Sequence, residues 1–306
     1  SSGIGEALAQ VFAAEGAWLV LSARRQERLQ ALRDRLPHPD RVLVLPVDLA
    51  EAGAPEAAAE QALAWKGRLD VLVNNAGISQ RSKALETSMK TARKVMEVNF
   101  YGAIALTQAV TPSMIARGAG QIVNICSAAA HVSTPLRAIY SASKHALRAW
   151  SDALRAELGG TGVGVTVMCP GFVRTGISRS ALDGDGVPVG EDDPKIAAGL
   201  DPDDVARRML VAIHRRRREP YLGGVEILAI FFQRWLPGGV AWVMPDRLPS
   251  SDDNFRWYFR RILRAIWGLE KPERPPALPA APRASVLQPL GQEDPGEAPG
   301  ALDRAV

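Results

Sequence analysis

Cysteine is scarce in this chain: Cys126 and Cys169 are the two thiols in 306 residues, and no CxxC pair is present. A disulfide framework and a zinc-finger cluster are therefore excluded, no metal is expected, and the count fits a reducing compartment with two buried structural thiols. Charge of one sign is not in large excess either. Lys and Arg number 37 against 33 Asp and Glu, a net +4, which permits an anionic ligand without demanding one. No apolar run is long enough for an ordinary spanning helix: the longest, from Tyr221 to Met244, is broken by Glu226, Gln233 and Arg234. No basic-then-apolar leader precedes Ser1, and no internal repeat of 20 to 50 residues is visible. What the chain does have is 47% hydrophobic and 23% charged residues, enough for one large core and incompatible with wholesale disorder.

Val-, Leu- and Ile-rich runs recur at Ala17–Leu21, Val42–Val47, Leu69–Val73, Gln121–Ile125 and Val163–Met168. Segments of helical period separate them: Leu8, Val11 and Phe12 share one stripe of 6–15, and Leu29, Leu32 and Leu36 share one of 27–36. Longer helices are expected at 91–117 and 140–158, and a flexible loop at 178–195, where glycine and proline cluster. Strands apolar on both faces, alternating with helices, indicate an α/β fold with a parallel sheet covered on both sides. Residues 1–225 read as that domain. The stretch 226–271 reads as an aromatic and basic extension, with four of the seven tryptophans among its arginines, able to lie in a membrane interface or to pack over the pocket. From Pro272 eight of 35 residues are proline, which reads as a disordered tail.

Four motifs follow one another. Ser1, Ser2, Gly3, Ile4 and Gly5 form half of a glycine-rich turn opening a helix, where backbone N–H groups hold a pyrophosphate. Asn74-Asn75-Ala76-Gly77 follows the third run, Ser127 lies 13 residues before the Tyr140-Ser-Ala-Ser-Lys144 that opens a helix, and Pro170-Gly171-Phe-Val-Arg-Thr175 follows the fifth run. In this order and spacing the chain resembles the short-chain dehydrogenase/reductase family over about residues 1–225, and Asn74–Arg81 with Val95–Asn99 and Pro112–Ile115 is most similar to its member 7 subgroup. The resemblance implies a doubly wound, Rossmann-type sheet. In one respect the chain departs from it. The strand and the Thr-Gly-Ala that open the family's domain do not precede Ser1, so the chain is expected to be N-terminally incomplete, with a natural short form as the alternative.

Hydride transfer to a ketone places negative charge on its oxygen, so the site needs a proton donor and a second donor to hold that oxygen. Tyr140 and Ser127 match these roles, and both are expected to touch substrate. A tyrosine of ordinary pKa, about 10, is a poor acid–base partner at neutrality, and a nearby cation favours its phenolate; Lys144, one helical turn on, is placed for this. The resemblance adds that Lys144 also bonds the nicotinamide ribose and that Asn99 supports a proton relay. Ser22-Ala23-Arg24-Arg25 ends the first run without a carboxylate, and two guanidiniums suit a 2′-phosphate, so NADP(H) is the expected cofactor. Asp48 and Leu49 resemble the adenine contact; Asn75, Ala76 and Gly77 the backbone on the adenosine side; Pro170, Gly171, Val173 and Thr175 the contacts to nicotinamide and phosphates.

His131 is a candidate for the substrate mouth or a plain polar loop residue, and Arg215–Arg218 read as a solvated helix end with no nucleic-acid partner expected. Cys126, beside Ser127, has no visible base to make it a nucleophile. The function expected is an NADP-dependent oxidoreductase interconverting a small-molecule carbonyl and its alcohol. Leu136, Ile139 and Phe172 provide an apolar lining, and the subgroup implies lipid, steroid or retinoid substrates. The family implies a homo-oligomer. The expected location is intracellular, at the endoplasmic reticulum membrane or, alternatively, in the cytoplasm. The rival from a different class is a catalytically silent chain acting through protein or membrane interactions; a related epimerase or dehydratase is disfavoured by Asn74–Gly77 and Pro170-Gly171.

Overall fold

The computed structural model describes residues 1–235; the expected extension falls within them only as far as Trp235, and the expected tail at 272–306 lies outside the described residues. Helix α1 (Gly3–Ala14) leads to strand β1 (Leu19–Ala23), helix α2 (Gln26–Arg35), strand β2 (Val42–Pro46), helix α3 (Ala54–Lys66) and strand β3 (Val71–Asn74). Helices α4 (Met89–Met96) and α5 (Gly102–Ala116) precede strand β4 (Gly120–Ile125), helix α6 (Ala138–Glu157) and strand β5 (Val163–Pro170). The short helix α7 (Pro194–Ala197), helix α8 (Pro202–His214), strand β6 (Tyr221–Leu222) and helix α9 (Leu228–Trp235) complete the order.

All strand pairs are parallel. β1 pairs with β2, Leu19 opposite Val42, while β3, β4, β5 and β6 form a second ladder in that order. Consecutive residues of β4 show why the strands are apolar throughout. Ile122 faces Val110, Met114 and Leu158 of the α5 and α6 layer, and Val123 faces Leu8 of α1 with Val205 and Met209 of α8; both are fully buried. Each face thus needs its own helices, the doubly wound arrangement.

Among the described residues no ladder joins β1 to β3. Their facing edges, Leu19–Leu21 and Val71–Val73, line one cavity of about 2270 Å³ that continues to the carboxyl ends of the strands. Such edges carry N–H and C=O groups that would pair with a further strand, and this is where the family resemblance places the strand expected ahead of Ser1.

Several boundaries differ from the expected ones for local reasons. β1 starts two residues late because Gly16, at φ +80°, and the Ala17 N–H bonded to the Phe12 carbonyl still close α1. β3 extends to Asn74 because its Nδ2 donates to Asn124 Oδ1 (2.8 Å) and Thr107 Oγ1 (2.9 Å) in the buried interior. The helix expected at 91–117 runs from Met89 to Ala116 but carries a π-helical turn at Glu97–Tyr101. The loop expected at 178–195 is pinned at Leu182, whose N–H donates to the Ser79 carbonyl and whose carbonyl accepts from the Arg81 N–H.

Candidate active site

The opening turn lies between the ends of β3 and β5. Gly3 takes φ +58°, a conformation L side chains rarely adopt, and a Cβ there would come 2.9 Å from Thr175 Cγ2; a Cβ on Gly5 would come 2.5 Å from Asn75 Nδ2. Ser2 caps α1 in extended backbone and its side chain makes no capping bond. The first N–H groups of a 12-residue helix are thus left to an outside acceptor. Ser2, Gly3, Ile4 and Gly5 all line the cavity.

Past β1, Arg24 and Arg25 are exposed on the cavity rim, joined there by Arg28 one turn along α2. Arg25 Nη2 donates weakly to the hydroxyls of Ser1 (3.3 Å) and Ser2 (3.4 Å). Partial desolvation, then the charges of Arg28 and Arg24, hold its pKa below the usual arginine value. The rim is therefore a concentration of positive charge that an anion would relieve. Asp48 and Leu49 line the same cavity: Asp48 Oδ1 accepts from the Ala50 N–H (3.0 Å), and Leu49 packs so closely on α5 that a Cβ at Gly102 would lie 2.7 Å from its own.

At the opposite end stand the chemistry-bearing side chains. Tyr140 and Lys144 project from α6, both buried, with Nζ 6.0 Å from the phenol centroid. Lys144 Nζ donates to the Ile125 carbonyl (2.9 Å), leaving two of its three donors for the cavity it lines. Ser127 follows β4, and its Oγ accepts the Ala129 N–H (3.1 Å), which leaves the hydroxyl proton free to point elsewhere. Asn99 sits in the π-helical turn, a distortion frequent at functional sites. Its Oδ1 accepts from the Ile78 N–H (2.8 Å), and its Nδ2 donates to the Ile78 carbonyl (2.9 Å) and Ser143 Oγ (2.9 Å). A Cβ on Gly77 would lie 3.4 Å from both Asn99 Oδ1 and Lys144 Nζ. Asn75, Ala76, Gly77, Pro170, Gly171, Val173 and Thr175 share the cavity wall with Ser127 and Tyr140; Asn99 lies behind it.

The uncapped α1 terminus, the left-handed Gly3 and the close approach at Gly5 and Gly77 fit a dinucleotide laid along the strand ends, pyrophosphate over α1. A family model for the short chain dehydrogenases matches residues 1–185. The chain belongs to the short-chain dehydrogenase/reductase family. It is 40% identical over 255 residues to dehydrogenase/reductase SDR family member 7B of Danio rerio, covering 81% of this chain and 82% of that one. It is 39% identical over 256 residues to a family protein 7-like of Anopheles gambiae, covering 81% and 80%. Among solved structures, a short-chain dehydrogenase/reductase of Burkholderia phymatum in complex with NAD matches with TM-score 0.70 at 26% identity, covering 81% of this chain and 94% of that one. A short-chain dehydrogenase of Sphingobium yanoikuyae in complex with NADPH matches with TM-score 0.64 at 28% identity, covering 83% and 96%.

In this short-chain dehydrogenase/reductase the weaker sequence candidates fall on both sides of the cavity wall, and His131 follows its plain polar alternative. His131 does not line the cavity: its Nε2 pairs with Glu219 Oε1 at 3.1 Å on the far side of the Ser127 loop. Ile139 does not line it either, because the helical turn from Tyr140 directs the preceding residue elsewhere, whereas Leu136 and Phe172 do. Arg215–Arg218 lie exposed past the end of α8, as a solvated helix end would. Cys126 is buried, and burial pushes its thiol up to about 12 although Lys144 works against this, so it is no nucleophile.

Two groups escaped the sequence reading. Arg28, three residues past Arg25, completes the rim, and its signal was the helical spacing. Glu226, visible only as an interruption of an apolar run, lines the cavity: its Oε1 accepts from the N–H groups of Phe172 (3.0 Å) and Gly224 (3.0 Å), and a Cβ on Gly171 would collide with it at 2.0 Å.

Proposed function

We propose that this short-chain dehydrogenase/reductase is an NADP(H)-dependent enzyme that interconverts a carbonyl and its alcohol on an apolar small molecule. The observation that carries the reading is a single cavity with Ser127, Tyr140 and Lys144 at one end and three arginines at the other. When bound, the nicotinamide supplies or accepts the hydride; Gly3, Gly5, Asn75–Gly77 and Thr175 would hold the cofactor's length, and Arg24, Arg25 and Arg28 its 2′-phosphate.

In the reducing direction the substrate oxygen sits against Ser127 and Tyr140. The Ser127 hydroxyl, its acceptor side already engaged by Ala129, donates to that oxygen as charge develops on it. The Tyr140 hydroxyl gives up its proton to the same oxygen and takes it back in the oxidising direction. Lys144, anchored on the Ile125 carbonyl, places a cation one turn from the phenol and turns its remaining N–H groups to the cofactor's ribose. Asn99 is a positioning residue in this scheme. It clamps Ile78 on the loop after β3 to Ser143 on the Tyr140 helix, so the loop and the helix keep their spacing. Leu136, Phe172 and Val132 favour an apolar substrate. Incubating the protein with NADPH and a panel of aliphatic, steroid and retinoid ketones tests the reading; NADPH consumption matched by alcohol formation supports it, and failure to bind either dinucleotide overturns it.

A membrane surface is the second reading, and α9 favours it. Leu228, Phe231 and Trp235 recur at helical spacing and are exposed, with Arg234 beside them. No helix among the described residues is long and apolar enough to cross a membrane, so attachment through α9 would be interfacial. Flotation with anionic liposomes separates the cases: loss of flotation in Phe231→Ser with Trp235→Ser supports attachment, and a wild-type chain that stays at the bottom of the gradient refutes it.

A further inference from the structure

Behind the Ser127 loop, outside the hydride cavity, three side chains from distant parts of the chain converge. His131 comes from the turn after β4, Cys169 from the end of β5, and Glu219 from the segment entering β6; none of them lines the cavity. Cys169 Sγ lies 3.7 Å from His131 Nε2 and 3.9 Å from Glu219 Oε1, and His131 Nε2 lies 3.1 Å from Glu219 Oε1. The three ligand atoms all fall within 4.8 Å of one another.

We propose that His131, Cys169 and Glu219 form a binding site for one thiophilic divalent cation, zinc by preference. Metal–sulfur bonds of about 2.3 Å and metal–nitrogen and metal–oxygen bonds of about 2.1 Å at tetrahedral angles put sulfur about 3.6 Å from nitrogen and from oxygen, and nitrogen about 3.4 Å from oxygen. The triangle in the structure departs from that by about 0.3 Å at most. Side-chain adjustment alone closes such a difference.

The donor set selects the metal. One thiol, one imidazole and one carboxylate suit zinc, whereas calcium and magnesium take oxygen alone. Binding replaces the Cys169 S–H proton, released to solvent, with a metal–sulfur bond, and leaves His131 neutral. Three protein ligands leave a fourth position for water. His131 and Glu219 keep 12% and 22% of their side chains exposed, so the ion has a path from the surface although Cys169 is wholly buried.

Arg148 is the group that competes. Its Nε donates to Glu219 Oε1 at 2.6 Å, and its Nη2 lies 3.4 Å from Oε2. With the cation on Oε1, the guanidinium moves onto Oε2 and orients the carboxylate from behind, as outer-shell partners of metal ligands do. Tyr221 stands edge-on to the His131 ring, centroids 5.4 Å apart, and supports its plane. The bound ion would staple three segments that frame the active site: the loop bearing Ser127, the strand end leading to Pro170-Gly171, and the strand that precedes Glu226.

The probes are zinc and cobalt(II) added to the full chain, stripped of metal and kept reduced. One zinc per chain in equilibrium dialysis, a raised melting temperature reversed by chelator, and a cobalt–thiolate charge-transfer band are expected. Cys169→Ser should abolish the band and weaken zinc at least about 100-fold, beyond the 10- to 100-fold usual for an outer-shell loss; Cys126→Ser should keep both. Should Cys169→Ser not fold, His131→Gln provides the same comparison in zinc affinity and melting temperature. Absence of stoichiometric zinc on the wild-type chain, or unchanged zinc affinity in a folded Cys169→Ser or His131→Gln, overturns the proposal and leaves the cluster as an ion-pair network built on Arg148.

Discussion

Replacing Arg25 with alanine should weaken NADPH and spare NADH. Arg24, Arg25 and Arg28 stand on the cavity rim at the end of β1, and among the two cofactors NADPH alone brings a phosphate to that end. A hydrogen bond to a charged group contributes about 1.5–3 kcal/mol, whereas a fully solvated ion pair gives about 0–1 kcal/mol. Arg25 is exposed but partly desolvated, so about 1–2 kcal/mol is expected, or about 5- to 30-fold in Kd at 1.4 kcal/mol per tenfold. Its bonds to the Ser1 and Ser2 hydroxyls, at 3.3 and 3.4 Å, are too long and exposed for their loss to change this by much. Removing one of three mutually repelling cations also relaxes Arg24 and Arg28, which pulls the single variant toward the lower figure; Arg25→Ala with Arg28→Ala should exceed it. Fluorescence titration with both cofactors reads the effect, and raising the salt concentration should shrink the NADPH preference of the wild-type chain. Equal changes in the two dissociation constants would refute the assignment of the rim to a 2′-phosphate.

Tyr140→Phe removes only a hydroxyl from a buried ring, so cofactor affinity should persist while turnover falls about 10²- to 10⁴-fold; a Phe variant with wild-type turnover means the proton donor lies elsewhere. Asn99→Ala strips partners from the Ile78 N–H and carbonyl and from Ser143 Oγ. At about 1–3 kcal/mol per buried unsatisfied group, partly relieved by water, a loss of about 2–4 kcal/mol is expected, with faster hydrogen exchange at the Ile78 amide; unchanged protection there contradicts the clamp. Gly162→Ala meets two penalties, φ +81° and a Cβ 1.9 Å from the Gly118 carbonyl oxygen, whereas Gly118→Ala, at φ +66° with open space, meets one. Calorimetry should show Gly162→Ala losing about 2–4 kcal/mol, about 5–15 °C in Tm, and Gly118→Ala only the backbone part of about 1–2 kcal/mol; equal shifts would discount the collision.

Local chemistry was legible wherever a few adjacent residues carry the whole signal. The glycine-rich turn that opens α1, the Tyr140–Lys144 turn and the apolar runs of β4 and β5 each follow from spacing along the chain, because helix and strand periods place side chains without reference to distant segments. Arg28 belongs to the same class, since helical spacing alone puts it one turn past Arg25. The rest depended on through-space meetings. Nothing in the order of residues says that Glu226 lies against Gly171, that Asn99 uses both its polar atoms on Ile78 and Ser143, or that Leu182 pins the long loop to Ser79 and Arg81. The π-helical turn at Glu97–Tyr101 sits in a sequence whose helical period is unbroken, and it is seen only in the backbone.

The sequence by itself determined the family and the parallel α/β layering, because motif order and apolar period are properties of the chain alone. Tertiary structure decided that, among the described residues, no ladder joins β1 to β3, and that three arginines share one rim. It also brought His131 together with Cys169 and Glu219, residues 38 and 88 positions further along the chain, and away from the cavity wall. Strand pairing and such long-range clusters are set by which segments pack together, and that is a balance of burial over the whole domain which no local window contains.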